Sequence, residues 1–125
     1  MMARLVVAAV LLLAACQVPG NGPHGCSNVQ IDWVDFIEVG TTQYVAGTGP
    51  AAPIKESDLG AVVAHVKFKV AGNVCDPGYR PKDGDAAFLD RGTPIYSVVG
   101  RPTTEALAAF RDGRRETYKA QPASG

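Results

Sequence analysis

Residues 108–119 read Ala108-Ala109-Phe110-Arg111-Asp112-Gly113-Arg114-Arg115-Glu116-Thr117-Tyr118-Lys119, and they admit two folds. Upstream, Thr104-Glu105-Ala106-Leu107 adds helix formers behind a threonine that can cap a helix. Asp112-Gly113 opposes that reading. A two-residue type I′ turn needs positive φ at both central positions, and Asp-Gly between two strand-compatible runs suits it. The hairpin is the expectation. A helix at the start of 104–119 is the alternative. A terminal hairpin requires strands elsewhere in the chain to pair with.

Those strands can be read upstream. Val62, Ala64, Val66, Phe68 and Val70 alternate with Val63, His65, Lys67 and Lys69. A period of two predicts one strand with an apolar face and a face carrying His65 and two lysines. Residues 31–39 are β-branched and aromatic and read as a strand. Gly40-Thr41-Thr42 turns the chain, and Gln43-Tyr44-Val45-Ala46 returns it as a hairpin. Residues 47–53 form a Gly/Pro loop, and residues 55–60 suggest one helical turn ended by Gly60. Residues 74–85 read as a long loop, followed by the short apolar segment Ala86-Ala87-Phe88-Leu89. Residues 93–99 form a further strand, with Pro94 near its start where a missing N–H is tolerated. Five to seven short strands with Gly/Pro turns predict a mainly β fold, a small antiparallel β sandwich or partly open barrel.

The first fifteen residues belong to something else. Arg4 precedes Leu5 to Ala15, a run without a charged or polar side chain. This is the charge-then-apolar order of a secretory signal, and it is too short for a membrane span. Leu13-Ala14-Ala15-Cys16 resembles the lipobox of bacterial lipoproteins. The resemblance implies cleavage between Ala15 and Cys16, with a diacylglyceryl group on the Cys16 thiol. Two or more acyl chains give stable attachment where one gives only marginal binding. The expected organisation is a signal peptide over 1–15, a flexible Gly/Pro tether over 16–30, one small β domain over 31–120 and a frayed tail over 121–125. The expected location is the extracytoplasmic face of the cell membrane.

Removing Cys16 from the cysteine count leaves Cys26 and Cys75. An oxidising compartment permits a disulfide between them, contributing roughly 3–4 kcal/mol on the chain-entropy model. A free or buried thiol at Cys75 is the alternative. Neither a CxxC pair nor a histidine at ligand spacing supports a metal site, and none is expected. Asp76, Asp83, Asp85 and Asp90 raise calcium, but their spacing does not fit the EF-hand pattern.

Twelve basic and twelve acidic residues balance, so no nucleic-acid partner is expected. The signs are segregated. Asp32, Asp35, Glu38, Glu56 and Asp58 precede a last third weighted by Arg91, Arg101, Arg111, Arg114, Arg115 and Lys119. The expectation is that these segments pair across one sheet rather than form a binding patch. No nucleophile motif accompanies Ser57, and His65 lacks a visible partner, so no catalytic residue is assigned.

The pieces Trp33-Val34-Asp35-Phe36-Ile37, Asp58-Leu59-Gly60, Val66-Lys67-Phe68-Lys69, Asp83-Gly84-Asp85-Ala86-Ala87-Phe88-Leu89 and Gly92-Thr93-Pro94-Ile95-Tyr96 follow in order. Together they resemble a group of small lipoproteins and secreted proteins of Gram-positive bacteria. The resemblance covers about residues 31–119 and implies a location and a terminal strand pair, but no activity. Cys75 departs from the group's commoner pattern, so the bridge does not follow from it. The functional expectation is a membrane-anchored, non-catalytic binding or accessory module without cofactor, attached through lipid on Cys16 and facing an envelope component or partner protein. The rivals are a cell-envelope hydrolase and a purely structural envelope protein.

Overall fold

The hairpin reading holds. In the computed structural model, which describes Cys26 and residues 30–47 and 54–122, Ala106–Arg111 and Arg114–Ala120 pair antiparallel from Ala106↔Lys119 to Arg111↔Arg114. Asp112 and Gly113 take φ values of 50° and 76°, the positive pair that a type I′ turn demands. The signal peptide, Cys16 and most of the tether, including His24, lie outside the described residues, as do residues 48–53 and 123–125.

Among the described residues, eight strands form one mixed sheet. They are β1 (Phe36–Val39), β2 (Thr42–Ala46), β3 (Leu59–His65), β4 (Phe68–Lys69), β5 (Asp85–Ala86), β6 (Pro94–Val98), β7 (Ala106–Arg111) and β8 (Arg114–Ala120). Their spatial order is β3-β6-β7-β8-β2-β1-β5-β4. Every pairing is antiparallel except β4 with β5. The sheet curls into an open half-barrel, the partly open form expected.

The expected single strand over 62–70 is two strands at opposite ends of the sheet order. The chain changes partner at Val66-Lys67. Val66 N–H donates to Thr93 O (2.9 Å) on the β6 side, whereas Lys67 N–H donates to Gly84 O (2.8 Å) on the β5 side. Only two residues separate β3 from β4, so the two edges of the sheet meet at this corner. The apolar face is broken accordingly. Val66 and Val70 are buried, but Val62 is 45% and Phe68 38% exposed. Register shifts between Leu59 and Val62, and between Val62 and Ala64, also disrupt the alternation along β3.

Three other expectations change. The first strand begins at Phe36 rather than at residue 31, and residues 31–35 approach it irregularly. The helical turn is a 3₁₀ turn, Glu56–Asp58, and Gly60 does not end it. Gly60 lies within β3, where a Cβ would collide with the Ser97 hydroxyl, so glycine permits the close approach of β6. The tail expected to fray from residue 121 is tied at its first residue, since Gln121 N–H donates to Gln43 O (2.8 Å).

Both faces of the sheet are covered in part. The inner cluster gathers Ile37, Tyr44, Val66, Ala86, Leu89, Ile95, Leu107, Ala109 and Tyr118. On the outer face, Phe36, Val70 and Ala87 are covered by Trp33, Val74, Tyr79 and Phe88 at one end. Val98, Ala106 and Ala108 are covered by Ile54, Leu59 and Tyr96 at the other. Strand β7 contributes to the inner and outer clusters alike, so all four residues 106–109 are buried.

Candidate functional site

The best-defined polar cluster forms where β1 begins and the β7–β8 hairpin ends. Register places Ile37 opposite Tyr44, Ala46 opposite Tyr118 and Leu107 opposite Tyr118, which brings the carboxylate just before β1 to the inner face of β8. Arg111 Nη1 donates to Asp35 Oδ2 at 2.7 Å. The Tyr118 hydroxyl donates to Asp35 Oδ1 at 3.0 Å. The Arg111 guanidinium also lies 4.4 Å from the centre of the Phe88 ring.

The electrostatics follow from burial and contact. Desolvation, followed by the charge of Asp35 and its hydrogen bond, pushes the Tyr118 phenol far above its ordinary range. The hydrogen bond to Asp35 raises Arg111 above its ordinary range, so the guanidinium stays charged. With one oxygen on each partner, Asp35 is a fixed acceptor. The cluster ties the chain just before β1 to the β7–β8 hairpin. Sequence reading expected the segments of Asp35 and Arg111 to pair but did not single out this trio, whose members lie 76 and 83 positions apart.

A second cluster surrounds β5. Asp85 is buried, and its Oδ2 accepts the Tyr79 hydroxyl at 2.6 Å and Lys82 N–H at 2.8 Å. Burial first, then the bond to Asp85, pushes the Tyr79 phenol up to about 12. Asp83 accepts Gly40 N–H at 2.8 Å and pairs with Lys67 at 2.9 Å, and these bonds hold its carboxyl below the usual range. Glu38 faces both aspartates. Desolvation, then the charges of Asp85 and Asp83, raise its carboxyl above the ordinary 4.5.

A raised folded-state pKa means that the folded state binds the Glu38 proton more tightly than the unfolded chain does. That contribution is fully present below the unfolded value and is lost as pH rises through the raised folded value. Glu38→Gln keeps the shape and removes the charge. Its urea midpoint relative to wild type is expected to be higher at pH 7 than at pH 4. An unchanged difference between the two pH values contradicts this.

The other singled-out residues are dispersed. Asp76 accepts Gly78 N–H at 2.8 Å and Asp90 pairs with Lys69 at 3.2 Å, so the four loop aspartates serve separate partners. Among the described residues, no three His, Cys, Asp or Glu side chains come together as a metal site. His65 is exposed at the end of β3, opposite Pro94. Phe36 and Tyr44 are buried, with the Tyr44 hydroxyl donating to Thr103 O at 2.6 Å. Trp33 packs edge-on to Tyr79, and Tyr96 edge-on to Phe110. Of the charge pairing expected between the two segments, Asp35–Arg111 is the one ion pair found among the described residues. Among the described residues, the other cations of the last third form no ion pair with those acids; Arg115 donates instead to Ile54 O at 3.3 Å, and Arg114 lies 3.8 Å from Glu116 on its own strand.

Cys26 and Cys75 form a disulfide with a Cα–Cα distance of 5.2 Å, across 49 positions of sequence. Neither Ala15 nor Cys16, the expected cleavage and lipid-attachment residues, lies among the described residues. No described helix is long and apolar enough to cross a membrane. Comparison with family models, curated proteins and solved structures finds no match to this chain.

Proposed function

We propose that this chain is an extracytoplasmic lipoprotein, held on the membrane by acyl chains on Cys16 and carrying a non-catalytic binding or accessory domain for an envelope component or partner protein. The observation that carries this reading is the Cys26–Cys75 bridge. A disulfide in a small domain fits an oxidising compartment outside the cytoplasm. It also uses two of the three cysteines, leaving as the odd one the cysteine directly behind Leu13-Ala14-Ala15. The apolar run behind Arg4 and the resemblance to small Gram-positive lipoproteins support the same location. The non-catalytic part rests on the side chains best placed for chemistry. Asp35 and Asp85 are each committed to two donors within the fold.

The test is detergent phase partition of the full chain expressed in a Gram-positive host. Wild type is expected in the detergent phase and Cys16→Ala in the aqueous phase or the medium, because the apolar run alone is too short to replace the lipid. Equal partition of the two into the aqueous phase overturns the anchor.

A further inference from the structure

The bridge occupies an odd place for a core staple. Its cysteines are absent from all three apolar clusters, and it joins no two strands. Cys75 lies in the exposed loop after β4, while Cys26 stands ten residues before the first residue of β1. The nearest packing is the outer cluster over Phe36. There Val74, next to Cys75, packs against the same buried residues as Trp33 and Tyr79. The bridge therefore fastens the incoming chain to the fold ahead of Trp33, the first described residue of that chain to join an apolar cluster.

We infer that the Cys26–Cys75 bridge is where the membrane anchor enters the fold, so that the end of the domain bearing Val74, Cys75, Trp33 and Tyr79 is held facing the bilayer. This rests on the lipid-anchor reading. Ten residue steps separate Cys16 from Cys26, which span at most about 35 Å whatever their conformation. Without the bridge, the first described residue of the incoming chain that belongs to an apolar cluster is Trp33, seventeen steps away and reachable over about 60 Å. The covalent link thus shortens the leash and selects the end of the domain that it pulls on. Residues 27–32 lie inside the closed loop and drop out of the leash altogether.

Trp33 is the single tryptophan and sits in that cluster, so it reports the distance. The lipidated full chain is reconstituted into phosphatidylglycerol/phosphatidylethanolamine vesicles containing a dansyl phospholipid, and energy transfer from Trp33 is measured on floated vesicles. Inserting ten Gly/Ser residues between Gly20 and Asn21 is expected to reduce transfer roughly twofold, because the reachable height about doubles. The same insertion between Ser27 and Asn28 is expected to leave transfer unchanged while the bridge is intact. Replacing both cysteines, Cys26→Ser with Cys75→Ser, is expected to make the second insertion as effective as the first. Equal effects of the two insertions with the bridge intact overturn the inference and leave the anchor standing. No effect of the upstream insertion overturns it as well. A wild-type chain that fails to float with the vesicles overturns both the inference and the anchor.

Discussion

Asp35→Ala is expected to destabilise the domain by about 2–3 kcal/mol, more than its position at the irregular start of a short strand suggests. The cost lies in what the substitution leaves behind. Tyr118 is fully buried and donates its hydroxyl to Asp35, and Arg111 donates to the other carboxylate oxygen from a half-buried position. Removing the acceptor orphans a buried hydroxyl and leaves a cation without its counter-charge. The full penalty of a sealed ion pair does not apply, because the Arg111 side chain keeps 32% of its surface in solvent. The coupling is visible in a double-mutant cycle. Asp35→Ala with Arg111→Met is expected to cost less than the sum of the single changes, by roughly 1 kcal/mol. Denaturant midpoints read both quantities. Additivity, with a single-mutant loss under about 0.5 kcal/mol, sinks the account of this cluster.

Leu107→Ala is expected to be the costlier of the two, at about 3–4 kcal/mol. Leu107 is 1% exposed and faces the inner cluster from β7, between Ser97 on β6 and Tyr118 on β8. Its neighbours cannot easily collapse into the space. Ala106 and Ala108 are committed to the opposite face, and Tyr118 is held in place by its hydroxyl. The cavity therefore persists, and the lost contacts add to the lost transfer free energy. Phe110→Ala on the same strand is the control, because Phe110 is 39% exposed. Thermal unfolding that shows equal losses for the two variants contradicts the assignment of faces.

The same strand shows why one part of the fold was legible and another was ambiguous. Asp112-Gly113 announced the turn because its chemistry is local. Ala106 to Ala109 looked helical because β7 is buried on both faces, and a doubly buried strand loses the alternation that identifies strands. Residues 62–70 failed in the opposite way. Their alternation was clean, yet Val66-Lys67 is a hand-over between two partners, which a period of two does not register. Gly60 read as a helix stop, although its purpose is contact with Ser97, a residue 37 positions on. The disulfide was accessible through cysteine arithmetic. The Asp35 cluster was not, since only strand register brings residues 35, 111 and 118 together.

The central claim is that this β domain is carried on lipid at Cys16, and the most direct measurement is the intact mass of the protein extracted from membranes. The account predicts residues 16–125 with a diacylglyceryl group on Cys16 and the 26–75 bridge intact, two hydrogens lighter than the dithiol form. A mass for the unprocessed chain, or for a processed chain without lipid, would contradict it.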